Sequence, residues 1–335
     1  MGRNRVPHLF FILALLGLAP IVWGEPLPVK LTRHGARIDV FISGQPFTSY
    51  FLGAESPKPY LHPLRSAQGA VVTRGFPMRQ DIPGESTDHP HHRGLFFAHG
   101  DINGIDFWGE RAPTQAQQTA RGVFYTSEGL PKGRTVFVKL EEMKGGLEAG
   151  TVKALFHLVG PDGQIMGNEI QAYTFRGEAN ARVIDCEFAI RALDKPLKMG
   201  DTKEGTFAIR LVKALEEPAG RMLNSEGAVG EKAIWGKRAN WVDYSGTVTG
   251  EKLGIAIFDH PSNPKHPTYW HARGYGLFAV NPFGEHDFYN DKARDGSITI
   301  PAGGTLVLRY RVLIHPGDAR EAKVAEAYQR YAAQR

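Results

Sequence analysis

The sequence predicts an all-β fold, a large antiparallel β-sandwich with one C-terminal helix, and three observations carry that prediction. Most of the chain runs in short segments in which apolar and polar residues alternate with period two, rich in β-branched and aromatic side chains. Gly, Pro, Asn and Asp punctuate these segments, as in Ser43-Gly44-Gln45-Pro46 and Pro161-Asp162-Gly163. No βαβ alternation appears and no glycine-rich phosphate loop follows a strand, which argues against a nucleotide-binding α/β fold.

Taken in order, the first element is not part of the fold. Arg3 and Arg5 precede an apolar run from Leu9 to Leu18, then Pro20 and the small-residue exit Val22-Trp23-Gly24. That is the pattern of a secretory signal peptide, with an apolar run short for a membrane span. Residues 1–24 are therefore expected to be cleaved, leaving residues 25–335 as a single β-sandwich domain in the periplasm or secreted. Strands are expected at 37–42, 135–140, 151–159, 165–175, 182–192, 253–258 and 305–314, where the alternation is cleanest. Cys186, the single cysteine, falls inside one of these runs; it reads as a buried small hydrophobe and excludes an intrachain disulfide. At the end of the chain Asp318 can cap a helix whose Val324, Tyr328 and Tyr331 form one apolar stripe, suited to packing on the sheet edge.

Charge narrows the partners. Cleavage would remove two of the 40 basic residues and none of the 35 acidic ones, lowering the formal net charge from +5 to +3. Both signs are interspersed with no run of five Lys or Arg, so neither a nucleic-acid stripe nor a polybasic membrane patch is present. A small polar ligand is the expected partner, with no membrane span after cleavage.

Chemistry concentrates in two stretches. Residues 88–101 hold four of the thirteen histidines, His89, His91, His92 and His99, with Arg93, Asp88 and Asp101. Imidazole titrates near neutral pH and is the commonest metal ligand, so this density points to proton transfer or ligation. If 95–101 is extended, His99 and Asp101 share a face, while Pro90 places the preceding histidines in a rim loop. The second stretch, 259–286, carries His260, His266 and the Tyr269, His271, Arg273 triplet, stiffened by Pro261, Pro264 and Pro267. Between them lie Asp201, Lys203 and Glu204 on a turn, and Trp108, Trp241 and Trp270 beside polar residues as candidate platforms for a sugar ring.

The segments 88–108, 200–210, 241–246 and 266–284, above all the run His-Pro-His-His-Arg-Gly at 89–94, resemble the DUF6807 family of exported bacterial proteins, commonly labelled "methane oxygenase PmoA". The resemblance covers nearly all of the expected mature chain. It implies a β-sandwich similar to the galactose mutarotase-like supersandwich, in a setting associated with carbohydrate breakdown, and brings no established catalytic residues. The oxygenase label fails a physical test, because membrane-spanning needs apolar runs of about 20 residues and the one long apolar run here is the export signal.

The expected function is an exported carbohydrate-active protein, a sugar lyase, epimerase or hydrolase working by histidine and carboxylate acid–base chemistry. His99 oriented by Asp101, His271 and His92 are the catalytic candidates; Arg93, His91, Trp108, Arg273, Trp270, Glu204 and Lys203 are the substrate-binding ones. A glycosidase would want paired carboxylates, for which Asp201, Glu204 or Glu285 are candidates. Two alternatives stay open: a non-catalytic carbohydrate-binding protein, and an enzyme using a divalent metal on His91, His99 and His271, though no HExxH motif or cysteine pair supports a metal. No cofactor is otherwise expected.

Overall fold

In the computed structural model, which describes residues 25–53, 55–110 and 129–334, the alternating segments become two packed antiparallel sheets. The expected signal peptide lies outside the described residues. The first sheet has nine strands in the order β1 (Val29–His34), β2 (Arg37–Ile42), β3 (Gln45–Phe51), β4 (Tyr60–Leu61), β5 (Leu95–His99), β11 (Gly205–Arg210), β17 (Leu277–Val280), β16 (Thr268–Ala272) and β13 (Arg238–Ala239). The second has eight, in the order β12 (Arg221–Asn224), β14 (Trp241–Val248), β15 (Glu251–Asp259), β19 (Thr305–Pro316), β9 (Arg182–Ala192), β8 (Ile165–Gly177), β7 (Gly150–Val159) and β6 (Arg134–Lys144). A short pair, β10 (Leu197–Met199) and β18 (Ile298–Ile300), stands apart. All seven strands expected from period two lie within observed strands.

The core is the space between the sheets. Phe97 of the first stacks on Phe188 of the second at 4.1 Å, and Tyr50 meets Tyr173 edge-on at 5.1 Å. Cys186 is buried there, and burial pushes its thiol well above the ordinary range, so it is packing and not a nucleophile. One polar network interrupts this layer: Tyr50 and Tyr173 both donate to Gln171 Oε1, and Gln171 donates to Glu169 at 2.6 Å.

Two short helices, α1 (Glu231–Ile234) and α2 (Glu285–Phe288), precede the C-terminal α3 (Val324–Ala332). Val324, Tyr328 and Tyr331 are buried as the stripe predicts, but against Trp241, Phe258 and Leu313 on the outer face of the second sheet, not at its edge. Asp318 caps the turn before the helix, accepting from the amides of Arg320 and Glu321. None of the helices among the described residues is long and apolar enough to cross a membrane.

Candidate functional site

The outer face of the nine-stranded sheet carries the polar chemistry, and strand parity decides which residues reach it. Register aligns Tyr60, Phe96, Ala208, Ala279 and His271 in one row across five strands. Their neighbours Leu61, Phe97, Phe207, Val280 and Trp270 point the other way, into the core between the sheets. Two small residues thus sit between bulky ends, with three strand spacings, roughly 14 Å, separating Phe96 from His271.

One end of the row is covered by the histidine loop. Tyr275, His89, His92 and Phe96 form a continuous near-parallel stack, with successive centroids 5.6, 4.9 and 6.2 Å apart. His91 stands edge-on to His92 at 4.3 Å, and Trp108 closes on His92 and Phe96 at 5.7 and 4.9 Å. Two buried guanidiniums hold the loop from beneath. Arg74 and Arg210 share one oxygen of Asp88 at 2.7 and 3.1 Å, and both reach Ser86. Against the upward push of burial, Arg210 and His89 hold the Asp88 carboxyl well below the usual carboxylate range. Burial and then the neighbouring Arg210 bring Arg74 down to about 10.

The tautomers of two histidines follow from their partners. A guanidinium only donates, so the 3.2 Å contact from Arg210 makes His92 Nδ1 an acceptor and puts the ring proton on Nε2. That Nε2–H is buried and has no partner among the described residues. His271 is the reverse case: its Nδ1 donates to the Lys203 carbonyl at 2.6 Å, leaving a lone pair on Nε2. Burial keeps both rings neutral, His92 well below its ordinary value and His271 at about 3. Trp235 meets the His271 ring edge-on at 6.2 Å, and Arg273, paired with Glu231 at 2.9 Å, spans Trp235 and Tyr275. The two histidine stretches are thereby joined on one face through Tyr275, Arg273 and Trp235.

Several expected site residues are placed elsewhere. His99 shares the parity of Phe97, so it and His271 lie on opposite faces and do not form an acid–base pair. Its Nε2 donates to the Gly200 carbonyl at 2.8 Å, and Asp101 does not orient it: the strand ends at His99, and Asp101 accepts from the Gly104 amide in a turn. The alternative metal set of His91, His99 and His271 is therefore not assembled, and no group of three His, Cys, Asp or Glu among the described residues is arranged to hold a metal ion. Trp270 is core, its Nε1 donating to Ala239, and Trp241 packs under α3. Arg93 is committed to Glu110 through two contacts of 2.8 and 2.9 Å, with Lys58 3.5 Å from the same carboxylate. Asp201 accepts from His286 and caps α2, and Glu285 pairs with Lys265 at 2.9 Å. His260 and His266 fasten the 259–268 loop to the C-terminal segment, through Gln334 and Tyr328.

Lys203 and Glu204 stay near the face, on the loop whose carbonyls hold His271 and the Gly100 amide. Arg74, Arg210, Trp235 and Tyr275 were not expected. Arg210 did carry a signal, a charge ending the otherwise apolar run from Phe207 at the parity opposite to Phe207 and Ile209.

Among curated proteins none matches this chain. Among solved structures, a galactose mutarotase-like protein from Clostridium acetobutylicum aligns at 10% identity over 87% of this chain and 99% of its own, with a TM-score of 0.44. A galactose mutarotase-like protein from Lactobacillus casei aligns at 10% identity over 86% and 100%, with a TM-score of 0.39. A GH36 α-galactosidase of Geobacillus stearothermophilus aligns at 12% identity over 91% of this chain but 43% of its own, with a TM-score of 0.40. The family model described as a family of unknown function, DUF6807, matches residues 37–329, which include both histidine stretches and every strand of the row they share, and the chain belongs to that family.

Proposed function

We propose that the outer face of the nine-stranded sheet binds a sugar and that His271 exchanges a proton with it. The observation that carries this reading is the pair of fixed, opposite tautomers on one face: a lone pair at His271 Nε2 and an N–H at His92 Nε2. A sugar hydroxyl can donate to the first while a ring or carbonyl oxygen accepts from the second. A neutral imidazole backed by a guanidinium serves as a hydrogen-bond donor to an oxygen that gains negative charge, without itself losing a proton. The rings of Trp108, Trp235 and Tyr275 supply apolar surface for the faces of a pyranose. Proton exchange of this kind fits ring opening, epimerisation or elimination. The N-terminal sequence pattern supports the further reading that the protein works outside the cytoplasm.

The test is His271→Asn, which keeps a donor for the Lys203 carbonyl and removes the basic nitrogen. Turnover of a sugar substrate should fall by at least ~100-fold, well beyond the loss of sugar binding, in a protein that remains folded; undiminished turnover would overturn the assignment of the proton exchange. One observation favours a second reading, a sugar-binding protein without catalysis: an imidazole held at about 3 is a weak base. On that reading no sugar that binds is altered by the wild-type protein.

A further inference from the structure

The hydrogen-bonding groups on this face do not balance. Among the described residues buried N–H donors outnumber acceptors: His92 Nε2, Trp108 Nε1, Trp235 Nε1 and Arg210 Nε have no acceptor there. His92, Trp108 and Arg210 are each at least 99% buried, so bulk water does not serve them. Against these four donors the described residues set fewer ring acceptors, the lone pair of His271 Nε2 and one nitrogen on each of the neutral rings His89 and His91. An unmet buried N–H is costly, so the imbalance describes what is missing: oxygens that accept and do not donate. Charge points the same way. Two buried guanidiniums, Arg74 and Arg210, share the one carboxylate of Asp88, and the next acid, Glu216, is 4.0 Å from Arg210.

A neutral hexose presents mainly hydroxyls, each of which brings a donor along with its acceptor lone pairs. A carboxylate brings only acceptors, with about four lone-pair sites and a negative charge. Resting on the sugar reading above, we infer that the ligand is a sugar acid of the hexuronate class, its carboxylate toward the His92, Trp108 and Arg210 end of the row. The four donors come from four separate elements, β11, α1 with its following residue Trp235, the histidine loop and the segment after β5, so no single local turn explains them.

Titration calorimetry of the full-length protein against D-galacturonate, D-glucuronate, D-galactose, D-glucose and acetate tests this directly. At least one hexuronate should bind ~10-fold or more tightly than its neutral hexose, and acetate should not compete at equal concentration. Trp108→Phe, which removes one N–H and keeps an aromatic ring, should weaken the hexuronate ~5-fold or more beyond whatever it costs the hexose; equal losses for the two sugars would count against the carboxylate contact. Equal affinity for hexose and hexuronate, or acetate competing as well as the hexuronate, would overturn the inference while leaving a sugar site standing. Binding of no sugar at all would bring down both this inference and the sugar reading it rests on.

Discussion

Histidines on the two sides of the nine-stranded sheet, and in the sheet opposite, meet similar burial with different bookkeeping of their ring nitrogens. In the second sheet His315 donates to Asp243 through Nε2 at 2.8 Å and meets the Pro316 carbonyl through Nδ1 at 3.2 Å, so the fold uses both nitrogens. On the outer face His92 and His271 each give one nitrogen to the protein and keep the other back. His99, facing the core, is intermediate: Nε2 is bonded to Gly200, while its buried Nδ1 is blocked by the close approach of Gly205, where an added Cβ would sit 2.7 Å away. The second nitrogen, more than burial or charge, separates a histidine that holds the fold from one that, under the proposed function, serves a ligand.

Acid should erase the distinction, and this is the largest effect expected. Burial lowers His62 and His99 to about 4 and His271 to about 3, with His91 and His92 also well below their ordinary values. The unfolded chain takes up these protons near pH 6.5 and the native one does not, so stability is full above pH 6.5 and is lost as pH falls toward 4 and 3. Each such group withdraws ~1.4 kcal/mol per pH unit in that window. Groups raised by burial oppose the trend, among them Asp201, Asp243 and Asp259. Glu169, raised by burial to about 7, and His315, raised by Asp243 against the desolvation of its site, both favour the native state as pH drops. Between pH 7 and 4.5 the lowered histidines are the most strongly shifted groups, and they set the direction: stability falls. Scanning calorimetry at pH 7 and pH 4.5 should show a clearly lower melting temperature at the lower pH; a flat profile would mean the histidines are not buried neutral.

Next in size is the fully committed pair. His315 and Asp243 are both fully buried, so His315→Leu strands a carboxylate with no cation and should cost ~3–5 kcal/mol in denaturant unfolding. Because this pair lies in the other sheet, ligand affinity of the folded fraction should not change. A loss of less than 1 kcal/mol would show that Asp243 simply takes up a proton.

How much of this was legible in the sequence depends on whether a strand has one wet face. The strand Arg182–Ala192 alternates buried and half-exposed residues almost throughout, and its bounds are those the alternation predicts. The strands Leu95–His99 and Thr268–Ala272 are buried at every position, because one face meets the opposite sheet and the other is covered, by the histidine loop over the first and by Trp235, Phe288 and the 200–204 loop over the second. Period two still says that His99 faces with Phe97 and His271 with Tyr269, but it cannot say which face is which. The clusters were therefore visible, and the pairing of His99 with His271 was not resolvable without register. Trp270 failed for the same reason. Arg93 failed for another: its partner Glu110 lies 17 residues on, and sequence carries no sign that the two meet.

The comparison of His99 with His271 can be sharpened by matched truncations. His99→Ala removes a buried ring and its bond to Gly200, so it should cost ~2–4 kcal/mol of stability. The folded protein should keep its ligand affinity to within ~3-fold, because His99 acts only through the 200–204 loop. His271→Ala should reverse the ranking, losing more affinity or turnover than stability. If His99→Ala instead abolished turnover at unchanged stability, the two faces would have to communicate through that loop, and the loop would belong to the site.

The smallest effect expected lies where a histidine of the second stretch is purely structural. His266 Nδ1 sits 2.7 Å from Asp259, and its Nε2 meets the Tyr328 hydroxyl at 3.3 Å; that hydroxyl also reaches Asn240 at 3.4 Å. Tyr328→Phe deletes both long contacts and keeps the ring edge-on to Phe258 at 5.7 Å. Hydrogen bonds at that length contribute little, and the ring's burial is retained, so the loss should be at most ~1 kcal/mol with no change in ligand binding. A larger loss would mean that the Pro-rich loop depends on α3 for its shape. Since that loop leads directly into the strand bearing His271, such a result would tie the C-terminal helix to the site and weaken the division drawn between histidines that hold the fold and histidines that serve the ligand.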